Sequence, residues 1–181
     1  MRRRTLLLTG LGGLGALIVG WGAMPPRSRL GDARTLAPVQ GEVALNGWIK
    51  IANDGTVLLA MNRSEMGQGV HTALAQLVAE ELDVPLSSVR LTAAGHDAIY
   101  GNVAAFLGSV PFGPRDEQRG SYRLASWVTA KLARELGLNL TGGSSSVADA
   151  WEPLRLAAAT ARAQLLGAAA LKHKLDRKSV V

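Results

Sequence analysis

WIKIANDGTVLLAMNRSEMGQGVHTALAQLVAEEL, residues 48–82, changes its hydrophobic period partway along, and that change sets the fold class. Residues 47–52 and 56–61 read as two strands around the turn Asn53-Asp54-Gly55, since Asp-Gly tolerates the positive dihedrals of a tight hairpin. Val57, Leu58, Leu59 and Ala60 form a nearly unbroken apolar run, the pattern of a strand covered on both faces. From residue 70 the period turns helical. Val70, Ala73, Leu74, Leu77, Val78 and Leu82 share one face with Glu80 and Glu81 outward, so the spacing predicts a helix over 70–82. Between the two periods lies Ser64-Glu65-Met66-Gly67-Gln68-Gly69-Val70-His71-Thr72. Two glycines bracketing one amide let backbone approach a bound group while Gln68 offers it an N–H and a C=O. Free N–H groups at the helix start would face the same place, which suits an oxo or phosphate oxygen. The alternative is a strand-to-helix turn in which the glycines only set dihedrals.

Outward from this unit, Val89-Arg90-Leu91-Thr92-Ala93 reads as a third strand, and His96, Asp97 and Tyr100 follow in a loop where adjacent side chains do not point at one another. Residues 103–120 read as mostly loop. A helix over 121–136 carries Leu124, Trp127, Val128, Leu132 and Leu136 as a core-facing stripe and ends at Gly137. Thr141-Gly142-Gly143-Ser144-Ser145-Ser146 is the second candidate: small hydroxyl residues ahead of a helix can converge N–H groups on phosphate oxygens. Such a segment is also an ordinary linker. Asp149 and Glu152 suit the positive end of the next helix, which spans 151–171 with Pro153 in its first turn. Its many alanines imply close packing against another element, one outside this chain. Strands and helices together make the fold class α+β.

The termini carry the charge. Residues 1–34 hold +5, residues 35–171 hold −2 and residues 172–181 hold +3 of the formal net +6. With no basic face on the central region, nucleic-acid binding is not expected. There is no cysteine, which excludes disulfides, thiolate zinc sites and iron–sulfur ligation within the chain. Arg2-Arg3-Arg4 precedes an apolar run over residues 5–26, the order of a signal's basic and apolar regions. Arg3-Arg4-Thr5-Leu6-Leu7 approximates the twin-arginine pattern used for export of folded proteins. Residues 1–26 are therefore expected as a cleaved signal or a membrane anchor, with a periplasmic or inner-membrane location facing the periplasm, and residues 27–40 as a linker.

Glu65-Met66-Gly67-Gln68-Gly69 with His71-Thr72 resembles the molybdenum-cofactor contact loop of the xanthine dehydrogenase and aldehyde oxidase family. Gly47-Trp48-Ile49-Lys50-Ile51, Asn53-Asp54-Gly55-Thr56-Val57, Ala79-Glu80-Glu81-Leu82-Asp83-Val84, Tyr100-Gly101-Asn102, Thr141 to Val147 and Trp151-Glu152-Pro153-Leu154-Arg155 are similar, in order and spacing, to the molybdopterin-binding subunit of its isoquinoline 1-oxidoreductase branch. The resemblance covers roughly residues 36–170. It implies a molybdopterin-binding domain fragment over 41–171 and cofactor contacts from Gly67, Gln68, Gly69, Gly143, Ser144 and Ser145. Gln68 would hydrogen-bond a terminal ligand of the molybdenum. The cofactor would be molybdenum-molybdopterin, its cytosine dinucleotide form left open, with iron–sulfur clusters on a small partner subunit and an N-heteroaromatic or aldehyde as substrate. The family's general-base glutamate comes later than anything matched here, so no catalytic residue is assigned and the chain alone is expected to be inactive. Subunits of the family are several times longer, and residues 172–181 form a divergent charged tail. The chain thus reads as an N-terminal piece or, alternatively, as a non-catalytic membrane-tethered binding or scaffold module.

Overall fold

The computed structural model describes the backbone of residues 3–25 and 27–176, and the side chains of residues 11–25, 27–113 and 115–176. Four strands, β1 (Glu42–Ala44), β2 (Ile49–Ala52), β3 (Val57–Met61) and β4 (Val89–Ala93), form one mixed sheet in the order β1-β2-β3-β4. Among the described residues five α-helices accompany it: α1 (Arg3–Ala23), α2 (Val70–Leu82), α3 (Val103–Leu107), α4 (Gly120–Leu136) and α5 (Ser146–His173). The class is α+β.

The hairpin forms where Asn53-Asp54-Gly55 places it. Asp54 Oδ1 accepts the Thr56 N–H at 2.9 Å and Gly55 takes a φ of 85°, so β2 and β3 pair antiparallel with Ile49 opposite Leu59. After β3 the chain must cross to reach β4, which lies parallel to it with Leu59 opposite Leu91. Helix α2 makes that crossing, and the glycine loop is its entry. Strand β1 lies outside the strands expected from the sequence; it is three residues long and half exposed, too short for a period to show.

The core lies between sheet, α2 and α5. Trp48, Ile49, Leu59, Leu74, Val78 and Leu154 are buried, with Ala157, Ala158 and Ala161 of α5 wholly covered. Full burial of a Leu or Val side chain contributes about 1.5–3 kcal/mol, and the alanines let α5 lie close on α2. Their partner is therefore within this chain, contrary to the expectation of an outside element. Arg155 with Glu81 and Arg162 with Asp83 flank the seam as ion pairs. Trp48 donates its indole N–H to the Arg29 carbonyl at 2.6 Å and stacks edge-on against Tyr100 at 4.9 Å, and the Tyr100 hydroxyl donates to the Gly47 carbonyl. Burial pushes that hydroxyl's pKa up to about 12.

Three expectations change. The core-facing stripe of α4 is largely exposed: Leu124, Leu132 and Leu136 face outward and Trp127 is 44% exposed, while Lys131 and Ala133 are the buried residues. Lys131 is buried because its ammonium donates to the Trp21 and Gly22 carbonyls at the end of α1 and to the Met24 carbonyl just after it, beside the Trp21 and Trp127 rings. Next, helix α5 starts at Ser146, five residues early, which puts Pro153 inside it. Lastly, the expected signal or anchor helix is not found as such: among the described residues no helix is long and apolar enough to cross a membrane. The side chains of residues 1–10, and with them the Arg3-Arg4-Thr5-Leu6-Leu7 pattern, lie outside the described residues, as do residues 177–181 of the charged tail.

Candidate functional site

Residues 64–69 leave β3 and turn into α2 through two left-handed glycines, Gly67 at φ 92° and Gly69 at φ 79°. A Cβ on either would meet nothing within 4 Å, so glycine is needed here for its dihedrals and leaves the adjacent space open. Not all of the N–H groups expected to be free at the α2 start are so: that of His71 is taken, as are those of the two loop glycines. Glu65 Oε1 accepts from Gly67 and Gly69, both at 2.9 Å, and its Oε2 accepts from His71 at 3.0 Å. These N–H donors, His71's first, hold the Glu65 carboxyl below its ordinary range.

The Gln68 amide is also partly engaged. Its Oε1 accepts the Met66 N–H at 2.5 Å and its Nε2 donates to the Ser64 carbonyl at 2.9 Å. One partner can only donate and the other only accept, so the network fixes the amide's orientation. Its carbonyl already accepts one N–H, and Gln68 can offer a ligand its second Nε2 hydrogen as a donor.

The second loop meets the first. Gly143 and Ser144 adopt left-handed φ values of 59° and 53°, and Ser145 turns inward, where its Oγ donates to the Gly142 carbonyl at 2.6 Å and accepts from Asn102 Nδ2 at 2.8 Å. The Ser64 N–H donates to Thr141 Oγ1 at 2.9 Å, bridging 77 residues of sequence. Between the loops is an open cavity of about 340 Å³ whose walls include Gln68, Gly69, Val70, Gly143, Ser144 and Val147. Of the six residues expected to touch a cofactor, Gln68, Gly69, Gly143 and Ser144 line this cavity; Gly67 shapes the loop, and Ser145 fastens the second one.

What anchors both loops escaped the sequence reading. Arg63, immediately before the first, is buried and donates to the Tyr100 carbonyl at 3.1 Å, to Asn139 Oδ1 at 2.5 Å and to Asp149 Oδ2 at 2.6 Å. Burial lowers the Arg63 pKa while the Asp149 carboxylate opposes that shift. Asp149, expected near the helix end as a dipole partner, turns inward and also takes Arg29 through both its oxygens, at 3.1 and 2.8 Å. Pro153 lacks the N–H that would bond the Asp149 carbonyl one turn back, and Arg29 Nη1 donates to that carbonyl at 3.2 Å instead. Residues 27–40, read as a linker, thus supply a structural cation. The only hint was an Arg beside the glycine motif and a proline four residues after an Asp.

The histidines carry no cluster. His71 Nε2 donates to the Arg63 carbonyl at 2.9 Å, Asp97 caps the Ile99 N–H at 3.0 Å rather than serving a catalytic pair, and His173 ends α5. Among the described residues no group of three or more His, Cys, Asp or Glu could hold a metal.

Lowered carboxyls make a pH expectation. Glu42 beside Lys50, Asp54 at the hairpin and Glu65 in its loop all have folded pKa values below their ordinary ones. Each therefore adds stability that is present above about pH 4 and lost as pH falls through the folded value. The thermal midpoint followed by circular dichroism should decline between about pH 4 and pH 2. A midpoint constant down to pH 2 would contradict the assignment.

A family model described as a molybdopterin cofactor-binding domain matches residues 12–109. The isoquinoline 1-oxidoreductase subunit beta of Brevundimonas diminuta is 39% identical over 89 residues, 49% of this chain and 11% of that protein. A membrane-bound aldehyde dehydrogenase [pyrroloquinoline-quinone] of Gluconacetobacter polyoxogenes is 30% identical over 101 residues, 56% of this chain and 13% of its own length. Aldehyde oxidase 1 of Bos taurus is 45% identical over 51 residues, 28% of this chain and 4% of its length. The matched part of the chain thus spans about a tenth of the first two relatives. With more than half its residues matched by the family model and the glycine loop inside that match, the chain belongs to the molybdopterin cofactor-binding domain family, related to isoquinoline 1-oxidoreductase and to the xanthine dehydrogenases and aldehyde oxidases.

Proposed function

We propose that this chain contributes cofactor contacts to a molybdenum hydroxylase, an oxidoreductase that hydroxylates an N-heteroaromatic or aldehyde carbon with water as oxygen donor. The observation that carries the reading is the convergence of Gln68 with Gly143 and Ser144 on one cavity, although 75 residues separate them in sequence. A cavity of about 340 Å³ falls in the usual range for small-molecule sites. Its walls are small or apolar around a single directed amide donor, which suits a flat heterocycle with acceptor atoms at its edge. Gln68 would donate its second Nε2 hydrogen to an acceptor on the bound group; Gly143 and Ser144 would let that group approach backbone. The molybdenum centre, when bound, supplies the two-electron redox chemistry, and an iron–sulfur partner subunit would carry the electrons away.

Removing a hydrogen bond to a charged or strongly polar group costs about 1.5–3 kcal/mol, roughly a 10- to 150-fold loss of affinity. Gln68→Ala should therefore reduce by about that much the affinity for the pterin cofactor, read as fluorescence of released pterin per mole of chain. Gln76→Ala, on the exposed face of α2, should retain the wild-type value. Equal retention by both variants would make the loop a structural turn.

The described residues lining the cavity include no carboxylate and no histidine. This favours a second reading, a binding module that holds a cofactor without turning it over. Turnover of an aldehyde or N-heteroaromatic by the chain reconstituted with cofactor would remove it.

A further inference from the structure

Every residue from Ser64 to Gly69 is exposed, and the one large apolar side chain among them, Met66, is 69% exposed. Packing therefore cannot hold this loop, and two glycines at positive φ are the residues that lose most freedom when it is ordered. The N-cap of helix α2 is Gly69, which has no side chain to cap it. One group answers both needs. The Glu65 carboxylate takes the N–H groups of Gly67 and Gly69 on one oxygen and of His71 on the other, so it fixes the residues on either side of Gln68 and ties the loop to the first turn of α2.

We propose that Glu65 is the positioning residue of the site, whose carboxylate locks residues 64–69 in the shape that leaves the spare Gln68 N–H for the cavity. This rests on the reading of Gln68 as a ligand contact. With the lock closed, Gln68 completes its own bonds to Met66 and Ser64, and Ser64 to Thr141. An isosteric amide at 65 has one acceptor oxygen. It can serve the Gly67 and Gly69 pair or His71, and not both.

The test uses this chain with Glu65→Gln and Glu65→Asp, read by NMR and by pterin retention. Glu65→Gln should speed amide exchange at Gly67, Gly69 and His71 by about tenfold or more while core amides such as Leu59 and Leu74 keep their protection. The Gln68 side-chain amide signals, distinct in the wild type, should collapse toward those of a solvated glutamine, and pterin retention should fall several-fold. Glu65→Asp keeps the charge on a shorter arm and should restore part of both. Unchanged exchange and unchanged Gln68 signals in Glu65→Gln overturn the proposal, as does a loosened loop that retains pterin at the wild-type level. If the wild type holds no pterin while Glu65→Gln still frees the Gln68 amide, the lock stands and the cofactor reading falls. Should Glu65→Gln fail to fold, Glu65→Asp carries the same readouts.

Discussion

Asp149→Ala is expected to destabilise the chain by about 3–5 kcal/mol, the cost of breaking a buried ion pair from one side. The Asp149 side chain is 2% exposed and that of Arg63 is 0% exposed, so neither charge has water to fall back on. Alanine at 149 would strand two guanidinium groups, Arg63 and Arg29, and also release the N–H groups of Val103 and Ala104 at the start of α3. Against a typical stability of about 5–15 kcal/mol, such a loss leaves little margin. Urea unfolding followed by circular dichroism reads the change directly. The double variant Arg63→Met with Asp149→Leu should be less damaged than the two single variants together suggest, because Arg63 is then no longer left buried without its partner, although Arg29 still loses its own. A loss below about 1 kcal/mol for Asp149→Ala would mean that the pair behaves as a solvated surface bridge.

Gly137→Ala should cost about 2–5 kcal/mol, while Gly143→Ala, at the same φ of 59°, should cost only about 1–2 kcal/mol. Both substitutions force a side chain into left-handed backbone. The difference is what stands next to the added carbon. At Gly137 it would lie 2.6 Å from the Ala98 Cα, a backbone contact that cannot rotate away, whereas at Gly143 nothing lies within 4 Å. The damage at 137 should travel to the site. Leu138 accepts the Asn102 N–H at 2.8 Å, Asn139 joins Arg63 and the Asn62 carbonyl, Leu140 accepts Asn102 Nδ2 at 2.9 Å, and Thr141 takes the Ser64 N–H. Of these four consecutive residues, Asn139 and Thr141 are thus tied to the root of the glycine loop, and Leu138 and Leu140 to Asn102. Chemical denaturation of both variants under one condition would settle the order, and a Gly143 loss equal to the Gly137 loss would show that φ alone decides.

Local chemistry determined much by itself. Helix α2 occupies 70–82 and β4 occupies 89–93 because their apolar periods are internal to each segment, and the hairpin sits at Asn53-Asp54-Gly55 because the turn residues and one Asx hydrogen bond are adjacent in sequence. The glycine loop was legible for the same reason, as was its membership of a cofactor-binding family. Long-range packing decided the rest. Whether the α4 stripe is covered depends on what lies opposite it, and what lies opposite Lys131 is the end of α1, more than 100 residues away. That Asp149 turns inward, that Arg29 leaves its apparent linker to meet it across 120 positions, and that Ser64 finds Thr141 are outcomes of three-dimensional closure. Periodicity carries no information about a single buried charge, because one residue has no period; its partner is chosen only when the core of α2, α5 and the sheet brings the two together and excludes the water that would otherwise solvate each.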